Sequence, residues 1–325
     1  MIETILLLAG FACLGLGLVA TFYQEGENLD YTPAAAVTAG TPVQLQDGRV
    51  GVPANDIDAG RQGAVRVCGV FKVAKSTTVF LDGDEVWYKS STSIGTYRLN
   101  GDFFLGTAVG DAGSSQTWVY VDLNRRPEYA IEFGRTGFVH AVTLTAGVAT
   151  VANEGGALAI DFDATDEAQR GEALSEDLVS IGDDWIITGE INIESDGNNA
   201  ALDVNIGVAS AGHASDADSI ALSAFVHVDG NSANILAESD DATNETAATD
   251  TTIDLTEGTY FEFKIDGRDP ASLAFYVNGA RVLSGTTFDV SDAATTLKVL
   301  AHAEKSGGAA VAAVRVKNLK LRKAA

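Results

Sequence analysis

Short apolar runs separated by turn-forming residues dominate this chain. Val43–Leu45 and Val50–Val52 flank Asp47-Gly48, a dipeptide that accepts the positive φ of a hairpin turn. Ala64–Val73, Val79–Leu81, Val86–Tyr88, Phe103–Val109 and Thr117–Leu123 follow, with Gly or Asp at the breaks. Strands at this spacing predict a small barrel or sandwich in the first part of the chain. Further on, Ile186–Ile193, Leu202–Val208, Ile220–Val228, Tyr260–Ile265, Leu273–Val277, Leu297–Ala301 and Val311–Leu321 read as strands. Phe261, Phe263 and Ile265 alternate with Glu262 and Lys264, the period-two pattern of a strand with one face inward. Asn278-Gly279 predicts a type I′ hairpin between Phe275-Tyr276-Val277 and Arg281-Val282-Leu283. Arg125 to Gly137 is charged, carries Pro127, and reads as a connector. The fold class predicted is all-β, with a second β-sandwich from Phe138 to Ala325.

Ile5 to Ala20 breaks this pattern as one uncharged, mostly apolar run. It is a little short for a spanning helix, which needs about 20 residues. No Lys or Arg precedes Arg49, so it has neither a secretory basic region nor an orientation bias. Residues 1–19 are therefore read either as a membrane segment or as sequence upstream of the mature start.

Charge narrows the possible partners. The 325 residues carry a net charge of −24. Residues 1–150 hold 10 basic and 15 acidic side chains, and residues 151–325 hold 11 and 30. No Lys or Arg lies between Arg170 and Lys264. Such a surface repels phosphate, so nucleic acid is not an expected partner. Cys13 and Cys68 are the only cysteines, too few for a disulfide framework. Cys68 falls in a strand-like run and reads as a small buried hydrophobe.

Candidate chemistry is sparse. Glu190-Ile191-Asn192-Ile193-Glu194 places two carboxylates on one strand face, which invites comparison with a retaining glycosidase pair. Outward polar residues on an alternating strand are expected anyway, so no catalytic residues are assigned. Asp216 and Asp218, with His213 in the 209–219 loop and Asp240 and Asp241 beyond it, are the nearest approach to a calcium site. A solvated loop explains them as well, and neither a metal nor another cofactor is expected. His140, His227 and His302 stand singly within apolar strands and read as structural histidines. There is no Gly-x-Ser-x-Gly elbow and no phosphate-binding Gly loop with Lys.

Two resemblances add to this reading. Ala20-Thr21-Phe22-Tyr23-Gln24-Glu25-Gly26 with Leu29-Asp30-Tyr31-Thr32 opens a run that resembles the phage capsid cement proteins. Val37-Thr38-Ala39-Gly40, Gly51-Val52, Asp56-Ile57, Gly63-Ala64, Gly69-Val70-Phe71, Lys75 and Gly106-Thr107-Ala108-Val109 continue it in order, up to the strand Val119–Asn124. The resemblance implies a β-rich module over residues 20–124 that binds the major capsid protein of an assembled shell as a homotrimer. Phe22, Tyr23, Gln24, Glu25, Gly26 and Tyr31 are then the interface candidates, in an arm able to pair with a neighbour. Tyr260–Asp266, Leu273–Val282 and the closing Val314–Leu319 look like strands of concanavalin-A-like or laminin-G-like jelly rolls. This implies a jelly-roll sandwich over residues 138–325 with surface glycans as candidate ligands.

The expectation is a non-enzymatic virion protein on the capsid exterior, with residues 20–124 as its cement domain, 125–137 as connector and 138–325 projecting outward. A membrane-anchored or secreted carbohydrate-binding surface protein is the alternative. A jelly-roll glycosidase is the second.

Overall fold

The computed structural model describes residues 26–196, 201–230, 232–291, 296–309 and 311–323. The chain divides into two compact units, one ending at Cys68 and the other beginning at Gly69. Both are built from strands, as the apolar pattern predicts. Among the described residues, no helix is long and apolar enough to cross a membrane, and the Ile5–Ala20 run lies outside them.

In the first unit, β1 (Asn28–Tyr31), β2 (Val43–Gln44), β3 (Val50–Pro53) and β4 (Gly63–Arg66) form a sheet in the order β1-β4-β3-β2. The Asp47-Gly48 turn forms as predicted. Gly48 has φ +85° and donates its N–H to the Leu45 carbonyl at 3.0 Å. Ile57, Val65 and Val67 make a small core, joined by Leu29, Tyr31, Val43 and Leu45. The predicted run Ala64–Val73 is not one strand. It stops at Arg66 and restarts at Val70, because Gly69 takes φ +100°, a turn conformation that side chains disfavour.

The second unit starts with β5 (Val70–Ala74), β6 (Glu85–Lys89), β7 (Ile94–Thr96), β8 (Phe103–Ala108) and β9 (Trp118–Leu123), ordered β5-β9-β8-β6-β7. Val73, Val86, Leu105, Val119 and Val121 are buried.

The rest of this unit is a sandwich. Its strands are β10 (Ile131–Glu132), β11 (Phe138–Thr143), β12 (Ala149–Glu154), β13 (Ala157–Phe162), β14 (Gln169–Ser175), β15 (Val179–Ser180), β16 (Trp185–Ser195) and β17 (Leu202–Ala209). They continue with β18 (Ser223–Asp229), β19 (Asn234–Asp240), β20 (Glu245–Asp254), β21 (Phe261–Gly267), β22 (Ala274–Val277), β23 (Ala280–Val282), β24 (Thr296–Lys305) and β25 (Ala312–Lys323). One sheet runs β12-β13-β25-β16-β21-β22-β23, with β10 paired to β25. The other runs β11-β14-β24-β17-β18-β19-β20, with β15 paired to β24. All neighbours in both sheets are antiparallel.

Alternation decides what lies between the sheets. Ile187, Ile191, Ile193, Phe261, Phe263 and Ile265 come from one side and Val204, Ile206, Val226, Val299 and Ala301 from the other, all in one core cluster. Each fully buried side chain of this size contributes about 1.5–3 kcal/mol. Gly267 sits where a Cβ would stand 2.1 Å from the buried Trp185 ring, so glycine is what lets the indole fill that space. Asn278 and Gly279 take φ +47° and +75°, the type I′ turn read from the sequence. The 125–137 segment contributes a strand: Ile131 pairs with Leu321 and is buried in the core.

Candidate functional site

Each sandwich sheet turns a polar face away from the core, and both faces are covered. The face of β16, β21 and β25 is covered by the five-stranded sheet. Val79 donates its N–H to the Gly279 carbonyl at 2.7 Å, and Val79 and Leu81 pack on Ile186, Ala274 and Tyr276. Around this apolar seam the contacts are ionic. Asp84 pairs with Lys264, and with Arg322 at 2.8 Å. Glu85 accepts from Lys320 at 3.2 Å and from the Tyr129 hydroxyl at 2.8 Å. Arg268 reaches Asp111 at 3.1 Å and Asp266 at 2.9 Å. Asp84 is held below its usual range: burial opposes this, but Lys264 and Arg322 outweigh it.

A cavity of about 60 Å³ lies in this seam, lined by Glu190, Glu262, Arg98, Tyr97, Lys264 and Asn318 among others. It has room for a few water molecules. Glu190 and Glu262 are direct cross-strand partners. Glu190 accepts from Arg98 Nε at 2.9 Å and from Asn318 Nδ2 at 2.8 Å, and Glu262 accepts from the Arg98 backbone N–H at 3.0 Å. Burial, together with the Glu190 charge, pushes the Glu262 carboxyl up to about 7. Glu194 lies apart, half-exposed and paired with Arg315 at 3.1 Å. The sequence motif Glu190/Glu194 therefore splits between two environments. The carboxylate that faces Glu190 is one the motif does not contain.

The face of β14, β24, β17, β18 and β19 is different. Register sets Glu172, His302, Asn205, His227 and Leu236 in one row across these strands. Neighbouring rows hold Arg170, Glu304 and Asp203, and Leu300, Gly207, Phe225 and Glu238. The loop 210–222 lies over them: its Ala217 and Ile220 pack on Ala209, Phe225 and Leu300. The His213 N–H donates to Glu172 at 3.0 Å, and a Cβ at Gly212 would stand 2.1 Å from a Glu172 oxygen. Glu172 also pairs with Arg170 at 2.9 Å and His302 at 3.3 Å.

At the other end of this face three acids gather around one imidazole, with no Lys or Arg paired to them among the described residues. His227 lies 3.7 Å from Asp203, 3.6 Å from Asp218 and 3.2 Å from Glu238. Asn205 Nδ2 donates to both Asp203 at 2.7 Å and Asp218 at 2.9 Å. His227 Nδ1, Glu238 Oε1 and Asn205 Oδ1 are buried without an aligned hydrogen-bond partner among the described residues. Burial works against the charged imidazole, but Glu238, Asp203 and Asp218 outweigh it and raise His227 to about 9. Burial pushes Asp203 and Glu238 up to about 7, because so many carboxylates cannot all ionise around one ring.

The sequence candidates fall unevenly on this structure. Asp218 enters the cluster, whereas Asp216 caps the short helical turn Ala217–Ser219 by accepting from the Asp218 N–H at 3.0 Å. Asp240 and Asp241 hold the turn between β19 and β20 through backbone N–H groups. His227 and His302, read singly from the sequence, share one row with Asn205 between them, while His140 is exposed and stacks on Phe133. Phe22, Tyr23, Gln24 and Glu25 lie outside the described residues. Gly26 is exposed, and Tyr31 packs half-buried on the core of its own unit. A feature that sequence reasoning misses is the exposed face of β5 and β9 in the five-stranded sheet. There Val70, Trp118 and Tyr120 are 57%, 37% and 48% exposed, and Lys72 lies 4.1 Å from the Trp118 ring.

No curated protein matches the chain. Among solved structures it is similar to the carbohydrate-binding module CBM66 from Bacillus subtilis, at 14% identity and TM-score 0.37 over 58% of this chain and 98% of that one. It is also similar to lectin II from Ulex europaeus, at 13% identity and TM-score 0.44 over 60% of this chain and 98% of that one. The sequence of residues 23–123 matches the model of the phage cement protein family, in agreement with the resemblance that residues 20–124 carry.

Proposed function

We propose that this chain is a structural virion protein that decorates the exterior of a tailed-phage capsid and displays a β-sandwich from it. The observation that carries the reading is the cement-family match over residues 23–123. The arrangement of the second unit supports it. The matched strands β5–β9 are fastened to the sandwich through buried ion pairs, so a sandwich carried by them is held firmly. The exposed Val70, Trp118 and Tyr120 lie within the matched span, and aromatic side chains of this kind serve as anchors at protein interfaces. Assembly as a homotrimer, with the arm from Phe22 to Gly26 and Tyr31 reaching a neighbour, belongs to the same proposal. So do the major capsid protein as partner, surface glycans as ligands of the sandwich, and the absence of catalysis.

The test is cosedimentation of the full chain with capsids that lack it. Saturable binding at a fixed ratio to the shell protein is expected. Replacing Trp118 and Tyr120 together by alanine should weaken it at least tenfold while leaving the circular dichroism spectrum intact. A full chain that ignores capsids but partitions into vesicles or onto a glycan array would favour the surface-protein alternative.

A further inference from the structure

Three carboxylates and one imidazole converge on the sheet face beneath the 210–222 loop, and nothing in the capsid reading uses them. Asp203 comes from β17, His227 from β18, Glu238 from β19 and Asp218 from the loop itself. One ligand atom each from Asp203, Asp218 and His227 fall within 4.8 Å of one another. Around His227 Nδ1, Asp218 at 3.6 Å and Glu238 at 3.2 Å are close to the spacing of about 3.4 Å between ligands of a tetrahedral ion with bonds near 2.1 Å, while Asp203 stands 3.7 Å from the other ring nitrogen, Nε2.

Two independent features point to an occupant. Glu238 Oε1, on a side chain 9% exposed, has no hydrogen-bond partner among the described residues. His227 Nδ1, on a side chain 4% exposed, has only ion-pair contacts, at 3.2 Å with Glu238 and 3.6 Å with Asp218, and no aligned hydrogen bond among them. A solvated acidic patch would leave no such atoms. Among the described residues, Asp203, Asp218 and Glu238 have His227 but no Lys or Arg within ion-pair distance. The opposite sheet face, by contrast, gives Asp84 both Lys264 and Arg322. Asn205 holds Asp203 and Asp218 by donating to both, and Asp216 fixes the backbone of Asp218. Such hydrogen bonds orient carboxylates toward a common point.

We propose that Asp203, Asp218, Glu238 and His227 bind one divalent transition-metal ion, of the Mn²⁺ or Zn²⁺ kind, that clips the 210–222 loop to the sheet. Mixed carboxylate and imidazole donors suit these ions, whereas Ca²⁺ takes oxygen donors. The ion displaces the imidazole proton of His227, supplies the positive charge at this end of the face, and joins three strands to the loop that covers them.

The full chain, stripped with EDTA, is titrated with Mn²⁺, Zn²⁺ and Ca²⁺ by calorimetry, and the loop is followed by limited proteolysis. The expected result is one saturable Mn²⁺ or Zn²⁺ per chain, with cleavage within 210–222 slowed at least tenfold. Asp218→Asn, a near-isosteric change at a partly exposed position, should weaken binding at least a hundredfold. Asp254→Asn, at an exposed position at the end of β20, should leave it within a fewfold. Manganese resonance spectra of the unaltered chain need no variant, and a persisting aquo-ion signal together with no saturable Zn²⁺ uptake overturns the proposal. So does metal binding that survives Asp218→Asn together with Glu238→Gln, or a Ca²⁺ effect as large as that of Mn²⁺ and Zn²⁺.

Discussion

The two outer faces of one sandwich solve the same problem differently. Each buries charged side chains under a covering layer. On the face of β16, β21 and β25, the cover brings complementary charge, and Asp84 enters between Lys264 and Arg322. On the face of β17, β18 and β24, the cover is the sandwich's own loop, and it adds Asp218 to acids already present. Buried charge is tolerated when its partner arrives with the layer that buries it. Where the covering segment adds more of the same charge, the carboxyls instead hold protons or wait for a cation. The first face therefore owes its integrity to pairing, and the second, at its His227 end, to the ion proposed above.

Removing one partner of the paired face should have the largest effect. Lys264→Met leaves Asp84 buried with Arg322 alone and removes the cation above the Tyr276 ring. A loss of about 3 kcal/mol is expected in urea unfolding. Combining it with Asp84→Asn should recover a large part of that, and a double variant no better than the single one would contradict the pairing argument.

Glu262 tests a place on this face where like charges meet, since Glu190 is its cross-strand partner. Its carboxyl rises from an ordinary 4.5 to about 7 in the folded chain. Below pH 4.5 it is protonated in both states, so it adds no slope. Between 4.5 and 7 the unfolded chain releases the proton and the folded chain keeps it, so stability falls as pH rises through this window. The fall attributable to Glu262 is roughly 1–3 kcal/mol. Glu262→Gln should match the unaltered chain near pH 4 and exceed it by that amount near pH 8. Parallel pH profiles for the two proteins would remove Glu262 from the account.

The smallest effect is expected at the loop-covered face. Gly212→Val forces a side chain into the space of the Glu172 carboxylate, where even a Cβ would come within 2.1 Å. A cost of about 1 kcal/mol is expected, because an exposed loop can shift where a core cannot. Faster proteolysis within 210–222, with the rest of the sandwich resistant, is the measurement. Uniform cleavage across the sandwich would mean that the loop and the sheet do not open separately.

Much of the strand content is legible in the order of the residues alone. Asp47-Gly48 and Asn278-Gly279 declare their hairpins because few residues accept the φ that those turns need. Phe261, Glu262, Phe263 and Lys264 declare their faces because a strand alternates sides. Other strands escape for equally physical reasons. In β14 the inward residues are Gly171 and Ala173, too small to read as an apolar alternation. Gly171 stays small because a Cβ there would stand 2.5 Å from Ile160. Strands β12 and β20 are rich in Ala and Thr and lie at sheet edges, where little burial is demanded of them.

The sites are less legible than the strands. The sequence alone determines an all-β chain, its acidic surplus, and the cement-like span, since period, composition and local motif are properties of neighbouring residues. It cannot determine that Asp203, Asp218, His227 and Glu238 meet, or that Glu190 faces Glu262 and not Glu194. Those meetings depend on the register of strands far apart in sequence and on the path of one loop over a sheet. A slip of a single residue in that register would turn each side chain to the opposite face.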